Sequence, residues 1–193
     1  MFSKKLKGLG GLLFTLLILA IVVYVATGPK QPAADSSSAS WLQRGSYSVG
    51  ITEFNFVDDS RSTTENRGFA GSSNRTLKTS IWYPQDLDEA LPLIIHSHGI
   101  MSQGNELANV AERLASHGYV VAAADYPLTN GQTPGGANAS DVTNQPADVS
   151  FLIDSVLTLS IGEKPFIGPI DPNRIGLSGY SLGGLTTVLA TYH

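Results

Sequence analysis

The segment around Ser181 combines residue types and spacing that could do chemistry. Residues 179–183 read Gly-Tyr-Ser-Leu-Gly, which is the spacing G-x-S-x-G. A short apolar stretch before them predicts a buried strand, and Leu182–Tyr192 predicts a helix. A turn this sharp strains the backbone of Ser181, and Gly179 and Gly183, two residues to either side, must lack a Cβ to avoid collision. The pattern predicts a serine nucleophile on a tight strand-to-helix turn.

The place of the serine at the head of a helix adds a second chemical group. The backbone N–H of Leu182 points out of the first helical turn. There it can donate a hydrogen bond to the negative oxygen that forms when Ser181 attacks a carbonyl carbon. The same turn therefore predicts one half of an oxyanion hole.

A second candidate segment follows the apolar run Leu91–Ile95, which predicts a strand covered on both faces. It contains His96, His98, Gly99 and Ile100. Two histidines at i and i+2 on a strand point the same way, as metal ligands could. The chain has no Cys, and no clear third ligand lies nearby. We therefore prefer a structural role, keep His98 as a candidate for lining the site, and expect no metal or other cofactor.

The remaining patterns predict an α/β fold. Two alternating segments, 47–56 and 75–84, predict an antiparallel edge. A helix over 105–117 lies between the strands 91–95 and 119–124, so those strands should be parallel. A further helix, capped by Asn144, should cover 144–159. We expect a mostly parallel central sheet with helices on both faces, while the loop 126–143 either shapes a substrate site or is a surface insertion.

The N-terminal segment predicts one membrane helix. Three lysines, Lys4, Lys5 and Lys7, precede the uncharged stretch 8–29. At about 1.5 Å per residue this stretch spans about 30 Å, the thickness of a bilayer core. The basic flank should stay cytoplasmic, which would put the rest of the chain in the periplasmic or extracellular space. A cleaved signal peptide is the alternative to the favoured uncleaved anchor.

Composition limits the domain organisation and the partners. We expect a membrane anchor or signal segment over 1–28, a flexible linker rich in Pro, Ala and Ser over 29–40, and one domain over 41–193. The 193 residues carry 12 Lys and Arg against 16 Asp and Glu, a net charge of −4. The basic footprint of a nucleic-acid-binding protein is missing, so no nucleic-acid partner is expected.

The order of elements, with the serine turn after the fifth strand, resembles the α/β-hydrolase fold. Within it, Leu93–Gly99 and Leu114–Ala123 are similar to segments of the dienelactone hydrolase and platelet-activating factor acetylhydrolase-like group of esterases. The resemblance implies that the N–H of Ile100 completes the oxyanion hole with that of Leu182. Tyr180 stands where the acetylhydrolases usually have His, and it is a candidate for lining the site.

The resemblance also implies an acid and then a histidine after the serine. No Asp or Glu follows Ser181 in this sequence. His193 is twelve residues further along the helix, or about 18 Å away, against the roughly 3 Å that proton transfer requires. We therefore expect the chain to be the N-terminal part of a longer protein, with C-terminal strands, acid and base missing.

Two classes of function fit these observations. The first is an extracytoplasmic serine hydrolase that cleaves small-molecule or lipid-like carboxylic esters through a Ser181 acyl-enzyme, inactive as the 193 residues alone. The alternative is a membrane-anchored, non-catalytic binding module of the same fold, or a peptidase of that fold. A later Asp and His would favour the enzyme.

Overall fold

The computed structural model describes residues 2–28, 30–85, 87–161 and 167–192, with the backbone alone for 2–13 and Trp41. The chain divides into two compact units, Met1–Gln43 and Arg44–His193. The predicted division into anchor, linker and domain, and the predicted location outside the cytoplasm, stay predictions.

The first unit contains two helices. Helix α1 spans Phe2–Thr27, and α2 spans Ser37–Trp41 at the end of the predicted linker. The Ser36 side chain caps α2 by accepting a hydrogen bond from the Ala39 N–H at 3.2 Å. Among the residues with a described placement, no helix combines the length and apolar character needed to cross a membrane. The structure therefore does not support the predicted membrane helix.

The second unit is built on a mixed sheet of five strands in the order β1-β2-β4-β3-β5. The strands are β1 (Val49–Asp58), β2 (Arg75–Pro84), β3 (Leu91–Ser97), β4 (Val120–Asp125) and β5 (Ile170–Gly179). The β1–β2 and β2–β4 pairings are antiparallel, whereas β3 is parallel to both β4 and β5. The predicted antiparallel edge is confirmed. The sheet is mixed: β2 runs against both of its neighbours, whereas β1, β4, β3 and β5 share one direction. The predicted mostly parallel arrangement therefore holds for four of the five described strands.

Three helices cover the two faces of the sheet. They are α3 (Ala108–Ser116), α4 (Gln145–Leu159) and α5 (Leu182–Tyr192). Val121 and Ala123 of β4 pack in a cluster with α3, whereas Val120, Ala122 and Ala124 pack in a second cluster with α4. Because successive strand residues face opposite sides, α3 and α4 lie on opposite faces. Helices on both faces are thus confirmed.

Short 3₁₀ helices precede α3 and α4, at Gly104–Leu107 and Ala139–Thr143. The second one lies in the segment that the sequence predicts to be an irregular loop. Asn144 stands at the N-cap of α4, as predicted, but its side chain makes no capping bond. Its amide donates instead to Asp141 Oδ1 at 2.7 Å. The cap residue therefore holds the 3₁₀ helix against the start of α4.

A buried ion cluster joins β2 to the start of α4. The Arg75 side chain is 1% exposed. Its guanidinium donates to the Asp148 carboxylate at 2.6 and 2.8 Å and to the Asp141 carboxylate at 3.0 and 3.1 Å. Buried charges are tolerated when they are paired and hydrogen-bonded in this way. The cluster therefore fixes the first turn of α4 relative to β2.

Removing the buried cation should destabilise the fold strongly. We expect Arg75→Met to lower the free energy of unfolding by about 3–5 kcal/mol, because Asp141 and Asp148 lose the buried cation that they share. Asp148 then keeps only the partly exposed Arg61, which lies 2.8 Å from it. The control is Arg44→Met, since Arg44 pairs with Glu112 and their side chains are 57% and 40% exposed. That variant should lose less than about 1 kcal/mol. Urea unfolding measures both, and equal losses would contradict the assignment.

Candidate active site

The serine turn connects β5 to α5. Ser181 lies between the end of β5 at Gly179 and the start of α5 at Leu182, with an exposed side chain. Its φ of 52° falls in the left-handed region, which residues other than glycine rarely adopt. Strain of this kind is concentrated at functional sites, where the surrounding structure enforces it. Ser181 therefore has the strained backbone that the motif predicts.

Two glycines flank the serine at places that have no room for a side chain. A Cβ on Gly179 would lie 2.1 Å from the carbonyl oxygen of Gly183, and a Cβ on Gly183 would lie 1.9 Å from that of Ser97. Gly184 differs, since a Cβ there would meet its nearest atom at 3.7 Å. Close backbone packing therefore requires glycine at positions 179 and 183 but not at 184.

The loop that follows β3 lies against this turn. A Cβ on Gly99 would lie 3.2 Å from a ring carbon of Tyr180 and 3.4 Å from the Cβ of Ser181. The Tyr180 N–H donates to the Ser97 carbonyl at 3.2 Å. The structure thus brings together the serine turn and residues 97–101, which we call the oxyanion loop after the role predicted for Ile100. Ile100, the second predicted oxyanion donor, lies in the middle of this loop.

Two backbone N–H groups beside the serine make no hydrogen bond within the described chain. They belong to Ile100 and Leu182. The N–H groups of the next residues along the chain are hydrogen-bonded. The Met101 N–H donates to the Thr129 carbonyl at 2.8 Å, and the Gly183 N–H donates to the Tyr180 carbonyl at 2.8 Å. Free donors on both sides of a serine are what stabilisation of a tetrahedral oxyanion requires.

The side chain of His98 connects the oxyanion loop to the residue that follows β4. Its side chain is 1% exposed, with Nδ1 at 2.7 Å from the Gly99 carbonyl and Nε2 at 3.1 Å from the Tyr126 backbone N. Since a backbone N–H can only donate, Nε2 accepts and the proton resides on Nδ1. Burial lowers the pKa of His98, which keeps the ring neutral. The ring is therefore buried, with both nitrogens bonded, and does not face a ligand.

His96 is also engaged on both ring nitrogens. Nε2 lies 3.2 Å from Glu106 Oε1, and Nδ1 lies 3.3 Å from Ser178 Oγ. The same Glu106 oxygen accepts the Gly99 N–H at 3.0 Å. Neither His96 nor His98 is free to accept a proton from Ser181. His193 lies outside the described residues.

The serine turn and the oxyanion loop carry exposed apolar side chains. Tyr180 is 64% exposed, Met101 is 72% exposed and Ile100 is also exposed. Met101 has a φ of 63°, so the oxyanion loop turns sharply at this residue. The surroundings of Ser181 therefore offer apolar contact surface and backbone donors.

The sequence contains no signal for the residues that hold the oxyanion loop. Thr129 accepts the Met101 N–H, and Gly131 donates to the Ser102 carbonyl at 2.8 Å. Both lie in the segment that the sequence leaves open as a substrate loop or a surface insertion. Such pairing depends on tertiary neighbours, and a Gly- and Asn-rich stretch without periodicity carries no pattern for it.

A strand-to-helix serine turn on an α/β sheet, with backbone donors from the loop after the third strand, defines a protein of the α/β-hydrolase class. The family model described as platelet-activating factor acetylhydrolase, isoform II, matches residues 20–127. This is more than half of the chain, and the chain belongs to this family. The matched region includes the oxyanion loop and ends before Ser181.

Two relatives extend the comparison. The chain is 27% identical over 180 residues to a bis(hydroxyethyl) terephthalate hydrolase of Streptomyces coelicolor, covering 88% of this chain and 49% of that protein. The chain thus spans about half the length of this curated relative. A solved ferulic acid esterase from Streptomyces cinnamoneus is similar in fold, with a TM-score of 0.59 and 24% identity over 74% of this chain and 55% of that one.

The close packing at Gly183 predicts a sharp difference between adjacent glycines. Gly183→Ala should lower the free energy of unfolding by about 3 kcal/mol or more, because the new methyl group collides with the Ser97 carbonyl. Gly184→Ala should leave it unchanged or raise it by up to about 1 kcal/mol, because Ala favours a helix. Urea unfolding compares the two. Equal effects would show that the turn is not packed as described.

The lowered pKa of His98 predicts a pH-dependent stability. Below the ordinary value of 6.5 the unfolded chain binds more protons at this residue than the folded chain. The free energy of unfolding should therefore decrease as the pH falls below about 6.5, by up to about 1.4 kcal/mol per pH unit. His98→Gln should remove this contribution, whereas the exposed control His117→Gln should retain it. Unfolding midpoints at several pH values test this, and an unchanged slope in His98→Gln would contradict it.

Proposed function

We propose that the protein is a carboxylic ester hydrolase with Ser181 as its nucleophile. The observation that carries this proposal is the strained Ser181, which precedes the unbonded N–H of Leu182 and packs against the loop that holds the unbonded N–H of Ile100. Membership of the acetylhydrolase family and similarity to two enzymes named as an ester hydrolase and an esterase support it.

The proposed reaction follows from the arrangement of these groups. Ser181 Oγ attacks the acyl carbonyl carbon and transfers its proton to a base. The carbonyl oxygen becomes an oxyanion and accepts hydrogen bonds from the N–H groups of Ile100 and Leu182. Collapse of this intermediate breaks the ester C–O bond, the alcohol leaves with the proton from the base, and the acyl group stays on Ser181. Water then hydrolyses the acyl-enzyme and releases the acid.

The proposed reaction also needs a base for the Ser181 proton and a carboxylate that orients the base. His96, which precedes the oxyanion loop, and His98, which belongs to it, have both ring nitrogens engaged. We propose that a histidine outside the described residues acts as the base and that a carboxylate orients it.

The substrate class follows from the apolar surface beside the serine. The exposed ring of Tyr180 and the exposed side chain of Met101 can pack against an apolar or aromatic acyl group. The names of both relatives refer to esters of aromatic acids, terephthalate in one and ferulic acid in the other. We propose a small ester with an aromatic acyl group as the preferred substrate, a class within the small-molecule or lipid-like esters expected from the sequence.

A matched pair of serine variants tests the proposal. In the full-length protein that contains this chain, Ser181→Ala should lower hydrolysis of bis(hydroxyethyl) terephthalate by at least about 10³-fold. Ser178→Ala should retain activity, because Ser178 is bonded to His96 and not placed in the site. A fluorophosphonate probe should label wild type and Ser178→Ala but not Ser181→Ala. Equal activity of Ser181→Ala and wild type would overturn the proposal.

A further inference from the structure

Three buried polar side chains lie between the two sides of the proposed oxyanion hole. Thr129 follows β4 and is 1% exposed, Gln145 begins α4 and is 1% exposed, and Thr186 lies on α5 and is 0% exposed. Burying a hydroxyl or an amide costs free energy unless it is hydrogen-bonded. Three such groups in contact therefore indicate a specific arrangement rather than general core packing.

Hydrogen bonds connect these side chains into one path. Gln145 Nε2 donates to Thr129 Oγ1 at 2.8 Å, and Gln145 Oε1 accepts from Thr186 Oγ1. At one end, the Thr129 carbonyl accepts the Met101 N–H at 2.8 Å. At the other end, Thr186 Oγ1 lies 3.2 Å from the Leu182 carbonyl. The path thus runs from the residue after Ile100 to Leu182 itself, through a single glutamine.

The start of α4, which carries Gln145, is fixed by further polar contacts. The Arg75 cluster binds Asp141 and Asp148, which lie on either side of the start of α4. The Asn144 side chain adds a bond to Asp141. The amide of Gln145 therefore projects from a fixed base, and it can set the distance between the segments that it joins.

We propose that Gln145 is a positioning residue that sets the spacing between the N–H groups of Ile100 and Leu182, an inference that rests on the proposed function. The two donors come from segments about 80 residues apart in sequence, and a shared hydrogen-bonded side chain fixes their separation. A displacement of about 1 Å in a catalytic arrangement can cost about 100-fold in rate. Gln145 acts through the backbone of both segments and does not touch the substrate.

The test uses the full-length protein with bis(hydroxyethyl) terephthalate as substrate. Gln145→Leu and Thr186→Val each break the path while keeping a side chain of similar size. We expect kcat to fall by about 10- to 100-fold in both, with little change in KM, because the transition-state contacts are the ones affected. Thr186→Ser keeps the hydroxyl and should stay within about 3-fold of wild type in kcat.

A matched control separates positioning from stability. Val156 is buried in α4 and belongs to the apolar cluster, so Val156→Ala should lower the melting temperature without touching the path. Assayed well below its melting temperature, Val156→Ala should keep the wild-type kcat. Thr191→Val supplies a second control, because Thr191 is exposed on α5 and bonds only within that helix.

The outcomes distinguish the inference from the proposed function. If wild type is active, Ser181→Ala is inactive and Gln145→Leu keeps the wild-type kcat, then the positioning role is wrong and the esterase proposal stands. If Gln145→Leu does not fold, Thr186→Val and Thr186→Ser decide, and equal kcat values in these two variants overturn the positioning role. Absence of Ser181-dependent turnover in wild type would overturn both.

Discussion

The site depends on the close contact between the start of α5 and the end of β3. Gly183 packs on the Ser97 carbonyl with no space for a Cβ, and Gly179 packs on Gly183 in the same way. Beside this contact Ser181 has a left-handed backbone conformation, and Gly99 of the oxyanion loop approaches its Cβ. Any larger residue at either glycine would separate the loop from the serine, so the nucleophile and both proposed backbone donors follow from one packing constraint.

Polar side chains hold the oxyanion loop in its place beside Ser181. His98 joins Gly99 to the residue after β4, and Glu106 accepts the Gly99 N–H. Gln145 links the neighbouring segment to α5. Each group is hydrogen-bonded, so its desolvation is compensated. An apolar core could not provide such directional contacts, which explains why polar side chains gather beyond the carboxyl ends of β3, β4 and β5.

Local patterns predict the parts of this fold that depend on local physics. The bounds of β2 and α5 agree with the structure, because Pro84 ends an alternating segment and the serine turn marks the start of a helix. The mixed order of the sheet was not predictable, since β2 pairs with β4 through residues that lie 39 to 47 positions apart in the sequence, from Trp82–Val121 to Lys78–Asp125. Asn144 lies at its predicted cap position, but its side-chain amide bonds Asp141, three residues earlier in the preceding 3₁₀ helix, instead of capping α4. The predicted membrane helix is not supported.

A structure of the full-length protein inhibited by a p-nitrophenyl phosphonate ester tests the central claim most directly. The account predicts phosphorus bonded to Ser181 Oγ, with one phosphonyl oxygen about 3 Å from the backbone nitrogens of both Ile100 and Leu182. A phosphonyl oxygen directed away from these two nitrogens, or phosphorus bonded to another residue, would contradict it.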